Sequence, residues 1–300
     1  MRTRLGYTLA LAAAVISGFA VYTNSYGVRA FGSPTVYTTA KNLVAAVVLA
    51  AALAVAGRRL PREGFTRPRR PAQWAGLAAV AVVGGSVPFI LFFEGLARVA
   101  SPDAAFIQKT LVIWVALLAV PLLRERVSAW HVAAIAALML GLAFLGGGVG
   151  GIRPGSGEAM ILAATLLWAV ETVIARKLLT GLSALTVATA RMGGGAVILV
   201  GYALATTPWS TLAAIGWHQW SWAIATGLIL AAYVATWYAA LARARAIDVT
   251  ALLVPAALIT ALLQAGSKPL APQWSGLLFV AAGGALVLLA ARKPRLADVP

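Results

Sequence analysis

Five ionisable side chains, Lys41, Glu94, Lys109, Glu171 and Arg191, stand inside long apolar runs of a chain that is 61% hydrophobic and only 11% charged. A charge in an apolar medium is costly, so each should either pair with a counter-ion or line a path for a polar solute. Spacing separates the two roles. Glu171 and Arg191 lie ten residues either side of the turn near Gly181, so an antiparallel hairpin sets them at one depth and predicts an ion pair. Glu94 and Lys109 are level in the same way across the turn near Ser101, but Glu94 also stands four residues before Arg98, the helical spacing for a local pair. Lys41 has no such mate. Its counterpart in the second half of the chain is Arg191, whereas the place matching Glu171 in the first half is Ala20. Lys41 is thus a candidate to face a cavity and meet a substrate carboxylate, with Glu94 as the alternative partner. Lys109, matched by Val254, also breaks the symmetry and suggests a role that one half alone performs.

The other residues with chemical potential are aromatic or amide. Phe89, Trp114, Trp168, Tyr233 and Trp237 fall within apolar runs, with Gln108 beside Lys109, and Tyr233 and Trp237 share a helix face. Together they could wall a pocket for a ring, or serve only as contacts between helices. Pro88 and Pro255 loosen helical hydrogen bonding and expose carbonyls, or simply kink their helices. The glycine runs Gly193-Gly194-Gly195 and Gly146-Gly147-Gly148 suit close helix approach. Other chemistry finds no support. There is no GxxxxGK[ST] stretch for a nucleotide motor, and no cysteine. The only histidines, His131 and His218, are expected near opposite membrane faces, which argues against a metal or catalytic centre built on them. No cofactor, metal or enzymatic role is expected.

The elements that must position these groups are membrane helices. Ten spans can be placed: Tyr7 to Val28, Pro34 to Ala56, Trp74 to Ala97, Pro102 to Leu123, Trp130 to Gly147, Gly157 to Leu179, Ala184 to Thr206, Trp220 to Ala242, Asp248 to Leu270 and Trp274 to Ala291. Arg2 and Arg4 before the first run imitate a signal peptide, but the run is long enough to span. The formal charge of +16 could suggest nucleic acid, yet the basic residues lie mostly between runs. With the amino terminus inside, 17 of them fall on inner segments and 4 on outer ones, six being arginines within 57–73. That asymmetry orients both termini to the cytoplasm. Trp209, Trp217, Trp222 and Trp274 on one side, and Trp74 and Trp130 on the other, fit interfacial belts.

A faint internal repeat orders these spans. Leu11-Ala12-Ala13 matches Leu162-Ala163-Ala164, Ala40-Lys41 matches Ala190-Arg191, and Leu96-Ala97-Arg98 with Asp103 matches Leu241-Ala242-Arg243 with Asp248. Residues 1–150 and 151–300 thus read as two copies of five spans. Five is odd, so the copies enter the membrane from opposite sides, a construction common in secondary transporters whose site lies where the halves meet. The fold class is an all-α membrane protein of ten helices in two inverted five-helix repeats.

This pattern resembles the drug/metabolite transporter superfamily, specifically its ten-span members built from two EamA-type repeats. Trp168, Pro255 and Leu123-Arg124-Glu125-Arg126-Val127-Ser128, similar to the family's acidic turn between spans four and five, carry the likeness. The chain departs from the family at Thr110-Leu111, where a proline is common, and at Lys268-Pro269-Leu270, where the acidic turn would recur. Leu167-Trp168-Ala169 and Ala271-Pro272 are similar to the YddG-type amino-acid exporters. The resemblance implies a secondary transporter in a bacterial-type inner membrane that exports amino acids, aromatic ones included, with the small-molecule substrate and the lipid bilayer as partners. It points to Trp168 as a substrate contact. A carrier of anionic or phosphorylated metabolites, drawn by Lys41, Lys109 and Arg191, is the alternative, and an intramembrane enzyme or lipid flippase is a second. Coupling ion, direction and oligomeric state stay open.

Overall fold

The computed structural model describes residues 2–59, 64–99, 101–145, 155–265 and 274–292. Within them the chain forms α1 (Arg2–Phe31), α2 (Pro34–Arg59), α3 (Pro71–Val83), α4 (Val87–Leu96), α5 (Ser101–Lys109), α6 (Leu111–Leu123), α7 (Ala129–Leu145), α8 (Ser156–Leu178), α9 (Ala184–Thr206), α10 (Trp209–Ala213), α11 (Trp217–Leu241), α12 (Ala246–Leu253), α13 (Ala256–Ala265) and α14 (Trp274–Arg292). Among the described residues there is no strand. Gly146-Gly147-Gly148, Lys268-Pro269-Leu270 and Ala271-Pro272 lie outside them.

Among the described residues, seven helical stretches are long and apolar enough to cross a membrane: Thr3–Phe31, Pro34–Gly57, Pro71–Leu96, Phe106–Leu123, Ser156–Leu178, Ala184–Thr206 and Trp217–Leu241. Ala129–Phe144, Ala246–Thr260 and Leu278–Val287 are shorter apolar helices. The chain is a multi-pass membrane protein. Its outward face is aliphatic, with Val47, Leu117, Val197 and Leu278 more than half exposed, as expected where hydrocarbon is the solvent. Trp74, Trp130, Trp209 and Trp217 are exposed near the first residues of α3, α7, α10 and α11.

Pro88 breaks its span in two, and the break falls before the proline. A proline ring excludes the carbonyl four residues back and offers it no N–H, so Gly84 loses its helical partner. The chain unwinds at 84–86 and restarts with Pro88 in the first turn of α4, where a missing N–H costs nothing. The Ser86 hydroxyl donates to the carbonyls of Ala81 and Val82, each at 3.1 Å, and steadies the end of α3. The span of α12 and α13 breaks at Val254-Pro255 as its proline predicts. That of α5 and α6 breaks at Thr110 without one, its hydroxyl bonded to the Ile107 carbonyl at 2.6 Å.

At the centre α2 lies against α9 and α11, and α8 against α3, α4 and α6, while α7 and α14 pair with each other. The connections gather at two ends. One end carries the α6–α7 turn, the α11–α12 turn and the start of α1; the other carries the α1–α2 turn and the segment from α9 through α10 to α11.

Candidate functional site

Lys41 projects from α2 into the interior and is 2% exposed. Its ammonium stands 4.4 Å from the ring centre of Phe93, 4.9 Å from that of Tyr37 and 5.8 Å from that of Phe89. It also donates at 3.4 Å to Asn24 Oδ1, which accepts the Tyr37 hydroxyl at 2.5 Å. No carboxylate comes within ion-pair distance of it among the described residues. Each ring attracts the cation through its quadrupole, by about 0.5–2 kcal/mol, and the amide helps, but none of these groups carries the opposing charge.

Arg191, in the corresponding place on α9, is held differently. Its Nε lies 4.0 Å from Glu171 Oε1, and the Tyr238 hydroxyl donates to the same oxygen. The guanidinium stands 5.7 Å from the ring centre of Phe89 and 6.0 Å from that of Tyr238. Phe89 therefore lies within 6 Å of two buried cations, Lys41 and Arg191. Trp168 meets Phe89 edge to face at 5.6 Å, and its indole N–H donates at 3.1 Å to the Gly84 carbonyl that Pro88 leaves free. The break needs its glycines, because a Cβ on Gly84 would strike the Glu171 side chain and one on Gly85 the Arg191 carbonyl. Helix break, ion pair and aromatic wall thus form one unit.

The sequence-predicted residues divide. Lys41, Phe89 and Trp168 come together, and Glu171 finds Arg191. Tyr233 stacks on Trp237 at 6.1 Å along α11 and interacts electrostatically with Arg191 and Glu171. Glu94 bonds to Thr35 at 3.0 Å and pairs with Arg98 at 3.5 Å, rather than with Lys109 or Lys41. Lys109 is buried at the end of α5 with no hydrogen bond or ion pair among the described residues, Gln108 is half-buried beside it, and the Trp114 indole donates to Thr110 at 3.1 Å. Their helices pack on α8, and no hydrogen bond or ring contact joins these three to Lys41.

Above Lys41 the bundle opens. Two cavities of about 340 and 370 Å³ adjoin at Thr211, between the α1–α2 turn and the segment around α10. Ser33, Thr35, Glu94, Tyr202, Thr206 and Thr207 line the second. Thr35 and Glu94 are each within two residues of a ring that boxes Lys41, Tyr37 and Phe93.

The opposite end is closed by a polar cluster that sequence reasoning missed. Asp248, fully buried at the start of α12, accepts from the Tyr7 hydroxyl at 2.9 Å and from Arg245 Nε at 2.8 Å, and meets His131 Nε2 at 3.0 Å. Arg124 takes a left-handed conformation (φ 54°) that ends α6 and turns the chain toward α12. Glu125 then accepts the Ala246 and Ile247 N–H groups at 2.8 and 3.1 Å, capping α12. Burial is the larger influence on Glu125 and raises its carboxyl above the ordinary value, against the pull of those two N–H groups and Arg176. The acidic turn and the Arg245–Asp248 spacing were visible signals, but the partners lie more than 100 residues away in sequence.

The EamA-like transporter family model matches residues 4–147 and again 155–289. The chain belongs to that family of membrane transporters, and it carries the family unit twice. A crystal structure, described only as that of a protein, aligns over 97% of this chain and 100% of its own at 17% identity with a TM-score of 0.78, which shows the shared fold. No curated protein matches the chain.

Proposed function

We propose that the chain is a ten-span secondary transporter, two inverted five-helix units over 1–150 and 151–300, that exports amino acids, including aromatic ones, across a bacterial-type inner membrane with both termini in the cytoplasm. The observation that carries this reading is Lys41: a buried cation boxed by Tyr37, Phe89 and Phe93 with no described carboxylate to neutralise it. A substrate carboxylate completes the charge balance, and the Phe89–Trp168 wall accepts an apolar side chain beside it. Tyr233 and Trp237 on α11, and Gln108, Lys109 and Trp114 on α5 and α6, belong to the same proposal as further substrate contacts. Because Arg191 is already paired with Glu171, a doubly charged phosphate would find one free cation here rather than two. The cleft beside Glu94 is the route to Lys41, and alternating access opens the two ends in turn.

The test is counterflow in proteoliposomes, with a panel of unlabelled amino acids and phosphorylated metabolites loaded one at a time. Exchange of aromatic and other neutral amino acids is expected. Exchange of phosphorylated compounds alone overturns the reading.

A further inference from the structure

The polar cluster at the closed end joins the two family units. Tyr7, Glu125, Ser128 and His131 belong to the first, and Arg245, Ala246, Ile247 and Asp248 to the second. No substrate-like cavity adjoins it among those described; it lies at the end opposite the cleft. Opening this end must part these contacts.

His131 occupies the centre of the cluster and is 3% exposed. Its tautomer follows from its neighbours. The Ser128 backbone N–H, 3.2 Å from Nδ1, can only donate, so Nδ1 accepts; the Ser128 hydroxyl lies at 2.6 Å from the same nitrogen. The ring hydrogen is therefore on Nε2 and is given to Asp248 Oδ1 at 3.0 Å. Arg245 Nη2, 3.1 Å from Nε2, is a donor facing a donor, and its own hydrogen goes to Asp248 Oδ1 at 3.2 Å. In this state the negative charge of Asp248 is matched by Arg245, while Glu125 faces the α12 N-terminus and Arg176.

We infer that His131 is a proton-binding site that couples protonation to release of this end of the bundle. A second proton must go to Nδ1, where the Ser128 hydroxyl 2.6 Å away can accept it, but the Ser128 backbone N–H then loses its acceptor and the 124–128 turn loses that bond to the ring. The imidazolium also adds a positive charge beside Arg245, so the buried His131–Asp248–Arg245 group gains a net positive charge, with Glu125 as the further carboxylate that acts on Arg245. Glu125 apart, the groups around His131 add no negative charge. Tyr7 of α1 is a hydroxyl already donated to Asp248, α6 has no ionisable residue in its sequence, α14 has only Arg292 at its end, and Lys109 of α5 makes no bond to it. The inference rests on the reading of the chain as an alternating-access carrier, and its test needs no substrate.

The chain has no cysteine, so a single Ala244→Cys, at a 3% exposed position packed near Gly6 of α1, is an unambiguous reporter of this end. Its rate of maleimide labelling in purified, detergent-solubilised full-length protein is divided by that of an exposed Thr180→Cys, which removes the effect of pH on thiol reactivity itself. The ratio is expected to rise about fivefold or more from pH 7.5 to 5.5, and His131→Gln is expected to abolish the rise. Asp248→Asn should label fast at both pH values. A ratio independent of pH in the wild-type background, or an acid response that survives His131→Gln, overturns the inference. The wild-type titration alone can do so if either variant fails to fold.

Discussion

Lys41 and Arg191 occupy corresponding places on α2 and α9, are 2% and 6% exposed, and lie within 6 Å of the same ring, Phe89. One is neutralised and the other is not. Arg191 has Glu171 and the Tyr238 hydroxyl that orients it; Lys41 has three rings and the Asn24 carbonyl. The difference traces to one position on the preceding helix, Glu171 in the second unit and Ala20 in the first. Rings contributing about 0.5–2 kcal/mol each do not replace an opposite charge when dehydrating an ion costs several kcal/mol. A duplicated fold can thus hold one position as a paired charge in one copy and leave it without a counter-ion in the other.

The sharpest way to break this comparison is to remove the counter-ion of the paired member. Glu171→Gln keeps an acceptor for Tyr238 but leaves Arg191 charged and buried, a cost of about 3–5 kcal/mol. The purified variant should show a clear drop in Tm, and adding Arg191→Met should recover most of it, since the pair then vanishes together. An unchanged Tm in Glu171→Gln would mean that the ion pair does not hold the bundle.

Lys41→Met should do the reverse. It removes a buried charge that no described carboxylate balances, so Tm should hold or rise while transport falls. Hydrogen bonds to a charged group contribute about 1.5–3 kcal/mol, which corresponds to roughly a tenfold to hundredfold increase in KM for carboxylate-bearing substrates. Decarboxylated analogues, if carried, should lose little. Equal losses for both kinds of substrate would remove Lys41 from carboxylate recognition.

These contrasts explain how much was legible beforehand. Apolar run length and the charge asymmetry of the loops are local properties, so the membrane helices could be read directly from the chain, as could Glu171–Arg191, whose shared hairpin converts sequence distance into depth. The same arithmetic gave Lys41 no partner within its own hairpin but left Glu94 open, and Glu94 bonds to Thr35 and Arg98 instead. What could not be read was any contact set by packing between distant helices. The aromatic box on Lys41 draws Tyr37 from its own helix but Phe89 and Phe93 from α4. The His131–Asp248 contact spans 117 residues. His131 was expected near a membrane face, but nothing local foretold that the Arg124 turn and the capping of α12 would enclose it in a hydrogen-bonded cluster. The exposed carbonyl expected of Pro88 is that of Gly84, displaced four residues toward the start of the span, and its indole donor comes from α8.

That displaced break gives the smallest of the predicted effects. Trp168→Phe preserves a ring against Phe89 and Phe92 but deletes the indole N–H, so the Gly84 carbonyl loses the donor that replaced its helical one. A buried acceptor left unmade costs about 1–3 kcal/mol, and the half-buried position of Trp168 places the expected loss near the lower end. The variant should fold with a slightly lower Tm and carry aromatic substrates with a severalfold lower kcat. The mirror experiment separates the bond from the ring. Pro88→Ala gives residue 88 an N–H that can reclaim the Gly84 carbonyl, so in that background Trp168→Phe should cost less stability than it does alone. If the two substitutions are simply additive in Tm, the indole serves only to fill space, and the coupling between the helix break and the aromatic wall is absent.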